Sequence, residues 1–234
     1  MPTLVLPPQR DTGRSALATP AGPPAGGWAD HTANRALRGA MAEPGNIAKV
    51  VAEVVDLHVF FVQWFTDVGP WGGDAAAAEA AFDAFLGRFA DSFEYVTTGG
   101  KKLNKSMLAG MRGARGGHPK DGGFRIVTVE HDFHPVPHSG GRVVAGTYKE
   151  MQQGAVNASD EAHNGTNGRF STALFEVMGA DCPTPCGIRW LRLHECWLSD
   201  EETAAFDWES EPAVAALRKA QAPAGVATTD EPSL

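Results

Sequence analysis

Apolar positions along this chain follow one period in its first half and another in its second. Ile47, Val50, Val51, Val54, Leu57, His58, Phe61, Trp64 and Phe65 recur at spacings of three and four, which predicts an amphipathic helix of about five turns. Gly69-Pro70 stops it, and Asp74 suits the N-cap of a second helix whose stripe is Ala78, Phe82, Phe85, Leu86 and Phe89. A short extended piece over 93–98 runs into Gly99-Gly100. Residues 101–115 read as a third helix, with Leu103, Met107, Leu108 and Met111 on its apolar side, ended by Gly116-Gly117.

From there the period is two. Strands are predicted over 124–133, 141–153, 168–177 and 187–198. They are separated by a Pro135/Pro137/Ser139-Gly140-Gly141 turn, a polar loop over 155–167, and the Cys182-Pro-Thr-Pro-Cys186 turn. Helices followed by consecutive strands on short connections make an α+β protein. The expectation is a curved antiparallel sheet of four to five strands wrapped around N-terminal helices, a cone-shaped α+β barrel. Alternation puts Val144, Gly146, Tyr148 and Glu150 on one side with Ser171, Ala173, Phe175 and Val177, and with Leu191, Leu193, Glu195 and Trp197. Lys149, Glu176, Trp190, Arg192 and His194 fall on the other side, facing solvent or a partner. The first side is expected to meet the helices.

Composition limits the folded part. Of 234 residues, 43% are hydrophobic, enough for one sizeable core, but the two ends are Pro-, Gly- and Ala-rich without an apolar period. The division is a disordered tail over 1–45, a domain over 46–199, and a short helix starting near Ser210-Glu211-Pro212 with a further tail over 200–234. Arg10, Arg14, Arg35 and Arg38 leave organelle import open, although Asp11, Asp30 and Glu43 count against it, and a cytoplasmic location is the default. The net charge of −8 and the lack of a basic stripe argue against nucleic acid, and no apolar run approaches a membrane span. Three cysteines without further ligands around Cys182 and Cys186 make a poor zinc signature, and reduced thiols are the default.

The candidate chemistry lies on the inward face. Glu150 and Glu195 are the candidate acid/base residues, and His58, Trp64, Tyr148, Arg169, Ser171 and Trp197 are the candidate pocket residues. On adjacent strands the carboxylates are expected ~10 Å apart, with Arg169 within reach of either. Two readings stand side by side: a pocket in which one desolvated carboxylate transfers protons, and a buried ion network that only closes the cone. His58 reads either as a bonded core residue or as a proton shuttle facing Glu195 or Tyr148. His131, His134 and His138 do not converge on a metal, since strand parity and Pro135 and Pro137 separate them. No metal and no cofactor is expected.

The residues also resemble a known superfamily. Leu57-His58 with Trp64-Phe65, Phe93-Glu94-Tyr95-Val96 through Gly99-Gly100, and Thr147-Tyr148-Lys149-Glu150 with Gln152 carry the likeness, together with 169–175 and 190–198. They look like a branch of the nuclear transport factor 2-like (SnoaL-like, cystatin-like) superfamily. The resemblance implies the cone fold and a small, mainly apolar ligand, in a domain that is a homodimer. It implies either an isomerase, dehydratase or cyclase chemistry or a non-catalytic dimerisation or adaptor role. An open cavity of several hundred cubic ångströms lined by these polar side chains would favour the enzyme; a filled one would favour the adaptor.

Overall fold

The computed structural model describes residues 44–120, 123–156, 161–178 and 184–208. Expectations for the N-terminal tail up to residue 43, for Cys182 and for a helix near Ser210 lie outside the described residues. Helix α1 (Pro44–Thr66) buries Val50, Val54, Leu57 and Trp64 along the expected stripe. It ends because Asp67 turns left-handed (φ 54°), which lets Val68 N–H reach back to Gln63 O at 3.0 Å. The Asp67 carboxylate then fastens the following turn, accepting from Trp71 Nε1 at 3.1 Å and Arg115 Nε at 2.7 Å. Helix α2 (Ala75–Gly87) starts where Asp74 accepts from Ala76 and Ala77 N–H, and it buries Ala78, Phe82 and Phe85. Between the two helices Phe60 stacks on Phe85 at 4.9 Å and Trp64 lies 4.7 Å from Phe82.

Strands β1 (Phe89–Val96), β2 (Lys102–Asn104), β3 (Arg125–Pro135), β4 (Val143–Ala155), β5 (Gly165–Val177) and β6 (Ile188–Trp197) form one sheet in the order β2-β1-β6-β5-β4-β3. Among the described residues the sheet thus has six strands rather than four or five, and one pairing, β1 with β6, is parallel. The third helix expected over 101–115 is corrected. Lys102–Asn104 pairs antiparallel with β1, and only a short helix α3 (Lys105–Leu108) and a 3-10 segment (Ala109–Ala114) follow. Asn104 caps α3 through Met107 N–H, so the chain leaves the sheet edge and turns helical at that residue. A short helix α4 (Asp200–Ala204), with a Ser199–Glu202 capping box, follows β6 directly.

Bulges bend the sheet. One falls between Val129 and Asp132, where Glu130 has φ 52°, and another lies where Leu174 and Phe175 face Arg192 and Trp190. The second reverses the parity of β6, which overturns the outward placement of Trp190. That ring is fully buried, 4.5 Å from Phe175, with its Nε1 donating to Glu53 Oε1 at 3.2 Å. Glu53, on α1, also receives Arg88 Nη1 at 3.3 Å, so a buried ion pair ties α1 to the α2–β1 junction and to β6. Among the described residues no helix is long and apolar enough to cross a membrane.

Candidate functional site

The concave face of the sheet carries a polar row that short antiparallel hairpins assemble strand by strand. Register sets Tyr148 opposite Ser171, Glu150 opposite Arg169, and Ser171 opposite Glu195. The inward parity expected for these residues is therefore what the backbone shows. Helix α1 adds His58 from above, and β1 adds Tyr95, which pairs with Leu193 of β6.

One guanidinium nitrogen joins the two acids. Arg169 Nη1 lies 3.6 Å from Glu150 Oε1 and 3.4 Å from Glu195 Oε2. Both carboxylates are buried, yet their surroundings differ. Glu150 is engaged at both oxygens: His58 Nε2 is 3.1 Å from Oε2, and Gln152 Nε2 donates to Oε1 at 2.5 Å. Burial works to raise its pKa, but the Arg169 charge and then His58 outweigh it and hold the carboxyl down at about 2. His58 Nδ1 sits 2.6 Å from Val54 O, so both ring nitrogens face acceptors and the ring is an imidazolium. Burial opposes that charge, and the Glu150 carboxylate overrides it and raises the His58 pKa.

Glu195 is held at one oxygen only. Its Oε2 accepts from Tyr95 Oη at 2.6 Å and from Arg169, whereas Oε1 has no hydrogen bond among the described residues. Desolvation raises its pKa against the pull of Arg169, and the Glu150 charge adds to the rise. Above the row, Tyr148 Oη and Ser171 Oγ are buried without a partner of good geometry. His58 meets the Tyr148 ring edge-on at 5.6 Å.

A cavity of about 750 Å³ opens over this floor. His58, Tyr95, Tyr148, Glu150, Gln152, Arg169 and Glu195 supply its polar lining, and Leu57, Phe61, Phe65, Phe85 and Phe93 are among the apolar walls. Thr97, Thr98, Gly99 and Lys101 of the β1–β2 turn line it from another side. The volume suits a drug-sized molecule with few polar anchors.

Three of the expected pocket residues do not line the cavity. Trp64 faces α2 instead, because the α1 stripe is wide enough to serve two neighbours, and its Nε1 donates to Met111 O at 3.0 Å. Ser171 stands opposite Tyr148 on the neighbouring strand and is fully buried. Trp197 is covered by the His163 ring at 3.8 Å and by the Arg169 guanidinium at 5.1 Å, so it braces the arginine. The sequence reading also left out Tyr95 as a site residue, although the alternation of Phe93 with Tyr95 places both on one side of a strand. Among the described residues, no group of three or more His, Cys, Asp or Glu side chains is placed to hold a metal ion.

No family model matches the chain, and no curated protein matches it. Solved structures do. A nuclear transport factor 2-like protein of unknown function from Pseudomonas aeruginosa is 27% identical over 64% of this chain and 99% of its own, with a TM-score of 0.47. A nuclear transport factor 2-like protein with a cystatin-like fold from Novosphingobium aromaticivorans is 14% identical over 82% of this chain and 98% of its own, at TM-score 0.38. A candidate ketosteroid isomerase from Shewanella frigidimarina is 18% identical over 53% and 97%, at TM-score 0.33. The first two of these carry the family name to which the sequence resemblance points.

Proposed function

We propose that the cavity binds a small, mainly apolar carbonyl compound and that the chain's own side chains move a proton on it, with Glu195 as the acid/base. The observation that carries this reading is the asymmetry of Glu195. Tyr95 and Arg169 fix one oxygen, while the other accepts no hydrogen bond among the described residues, on a side chain that lines the cavity. A desolvated carboxylate with a raised pKa is a stronger base than an ordinary one, and its proton affinity lies nearer to neutrality, which suits a group that must both take up a proton and give it back. Glu150 is a poor candidate for the same work, since His58, Gln152 and Arg169 occupy it and keep it ionised. It is a positioning residue that holds Arg169 between the two acids.

Tyr148 supplies the complementary group. Its hydroxyl stands opposite that of Ser171 without a hydrogen bond of good geometry among the described residues, and the residue lines the cavity, so it can donate to a carbonyl oxygen as negative charge develops there. Proton abstraction by Glu195 Oε1 from the carbon next to that carbonyl leaves an enolate, which is reprotonated at the same or a neighbouring carbon. The adaptor alternative loses one of its supports, because Trp190 belongs to the core and not to an outer contact face.

The test is deuterium exchange at the α-carbon of aryl and cyclic ketones in D2O, followed by NMR. The wild-type chain should exchange at least one ketone faster than an equal concentration of free imidazole. Glu195→Gln should slow that exchange by about 100-fold or more while the melting temperature stays close to wild type. No exchange across the panel, or exchange that survives Glu195→Gln, overturns the reading.

A further inference from the structure

Also lining the cavity, against the last turn of α1, is a histidine that the proton-transfer reading does not use. His118 follows the Gly116-Gly117 break and is pinned from three directions. Its backbone N–H donates to Phe65 O at 2.8 Å, while Val156 N–H donates to its Nε2 at 3.0 Å. Its ring lies 4.0 Å from Phe124 and 5.6 Å from Phe65. A ring nitrogen that accepts from a backbone N–H carries no proton, so the proton of this neutral imidazole sits on Nδ1. That Nδ1–H is buried without a partner among the described residues, on a ring that lines the cavity.

A buried donor held this rigidly and left unpaired is matched when an acceptor atom is brought to it. Building on the proposed function, we infer that His118 is the second polar anchor of the cavity, donating through Nδ1–H to an oxygen at the far end of the bound molecule. The spacing comes from α1. His58 marks the Glu150 end and Phe65 the His118 end, seven residues and therefore roughly 10 Å apart along the helix. The ligand class is accordingly an elongated apolar molecule, two or more fused rings or their equivalent, with a carbonyl at one end and an ether, hydroxyl or carbonyl oxygen roughly 10 Å away.

Two naphthyl ketones of matched shape test this: 2-acetyl-6-methoxynaphthalene and 2-acetyl-6-ethylnaphthalene, with binding followed by tryptophan fluorescence and calorimetry. Wild type should bind the methoxy compound about five-fold more tightly, the scale of one neutral hydrogen bond. His118→Phe should bind both equally, and Glu195→Gln should keep the wild-type ratio. In protein labelled with 15N-histidine, the methoxy compound alone should shift the His118 Nδ1 resonance, a readout that needs no variant to fold. Equal affinities in wild type, or a preference that persists in His118→Phe, overturn the anchor and leave the Glu195 reading standing. Failure of both compounds to bind overturns the cavity reading and the anchor together.

Discussion

Glu150 and Glu195 share Arg169 but titrate in opposite directions, and the protein's pH dependence follows from that. Glu150 is pulled to about 2 from an ordinary 4.5, so its contribution to stability is present above 4.5 and disappears as pH falls towards 2. His58 is raised from 6.5; what it contributes is complete below 6.5 and is lost as pH rises through its folded value. The pair therefore stabilises most between about 4.5 and 6.5. Glu195, raised from 4.5, runs the other way from Glu150, favouring the fold at low pH and losing that contribution as pH rises. Urea midpoints measured from pH 3 to 9 for wild type and Glu150→Gln separate these effects. The variant should lose about 3–5 kcal/mol near pH 5.5, because it strands the His58 charge in the interior. The difference between the two curves should narrow on both sides of that window. A pH-independent difference would contradict the assignment of charge to His58 and Glu150.

The elements owe their curvature to positions where the strand pattern breaks. Just past the β3 bulge stands Gly146, paired with Phe133, and a Cβ there would run into Asp132 O and the Phe133 ring. Gly146→Ala must push β3 away from β4 or flatten the bend, and a cost of about 1–3 kcal/mol in urea unfolding is expected. Loss of the ketone exchange proposed above should accompany it, since β4 carries Tyr148 and Glu150. The same breaks explain what alternation could and could not reveal. Tyr148, Glu150, Arg169, Ser171 and Glu195 were legible because β4, β5 and β6 pair antiparallel through regular stretches. Trp190 falls on the other face from the one alternation gives because β6 carries one extra residue, Leu191, between the partners of Leu174 and Phe175, and neither Gly nor Pro marks that bulge in the sequence. Lys102–Asn104 looked helical because its apolar spacing continues that of the helix after it, and only pairing with β1 makes it a strand. Alternation with Phe93 gives the face of Tyr95, but its partner Glu195 comes through a parallel β1–β6 contact about a hundred residues away in sequence, which no local pattern announces. His118 acquires its position from backbone bonds to the end of α1 and to Val156.

Across the whole molecule, α1 passes three charged or polar stations in turn: Glu53, then His58, then the Phe65–His118 contact. Only the last two border the cavity, and the first locks the fold. Glu53 is fully buried with Oε2 unpartnered, and burial raises its pKa despite the opposing charge of Arg88. Arg88 also reaches Asp56 at 2.5 Å, so a single guanidinium neutralises two carboxylates of α1. Arg88→Met leaves the Glu53 carboxylate in the core without its countercharge, beside the Trp190 Nε1 and Cys186 Sγ donors. The expected loss is about 3–5 kcal/mol at pH 8. A carboxylate whose folded pKa is raised adds stability at low pH that is lost as pH rises through that value. The variant's deficit should therefore be smaller at pH 5 than at pH 8, and urea unfolding at the two values measures it. The double variant Glu53→Gln/Arg88→Met should recover most of the loss, because the charge that needed the arginine is gone. A deficit equal at both pH values and unrelieved in the double variant would mean that Arg88 acts through its packing, and that the lock at this end of α1 is apolar.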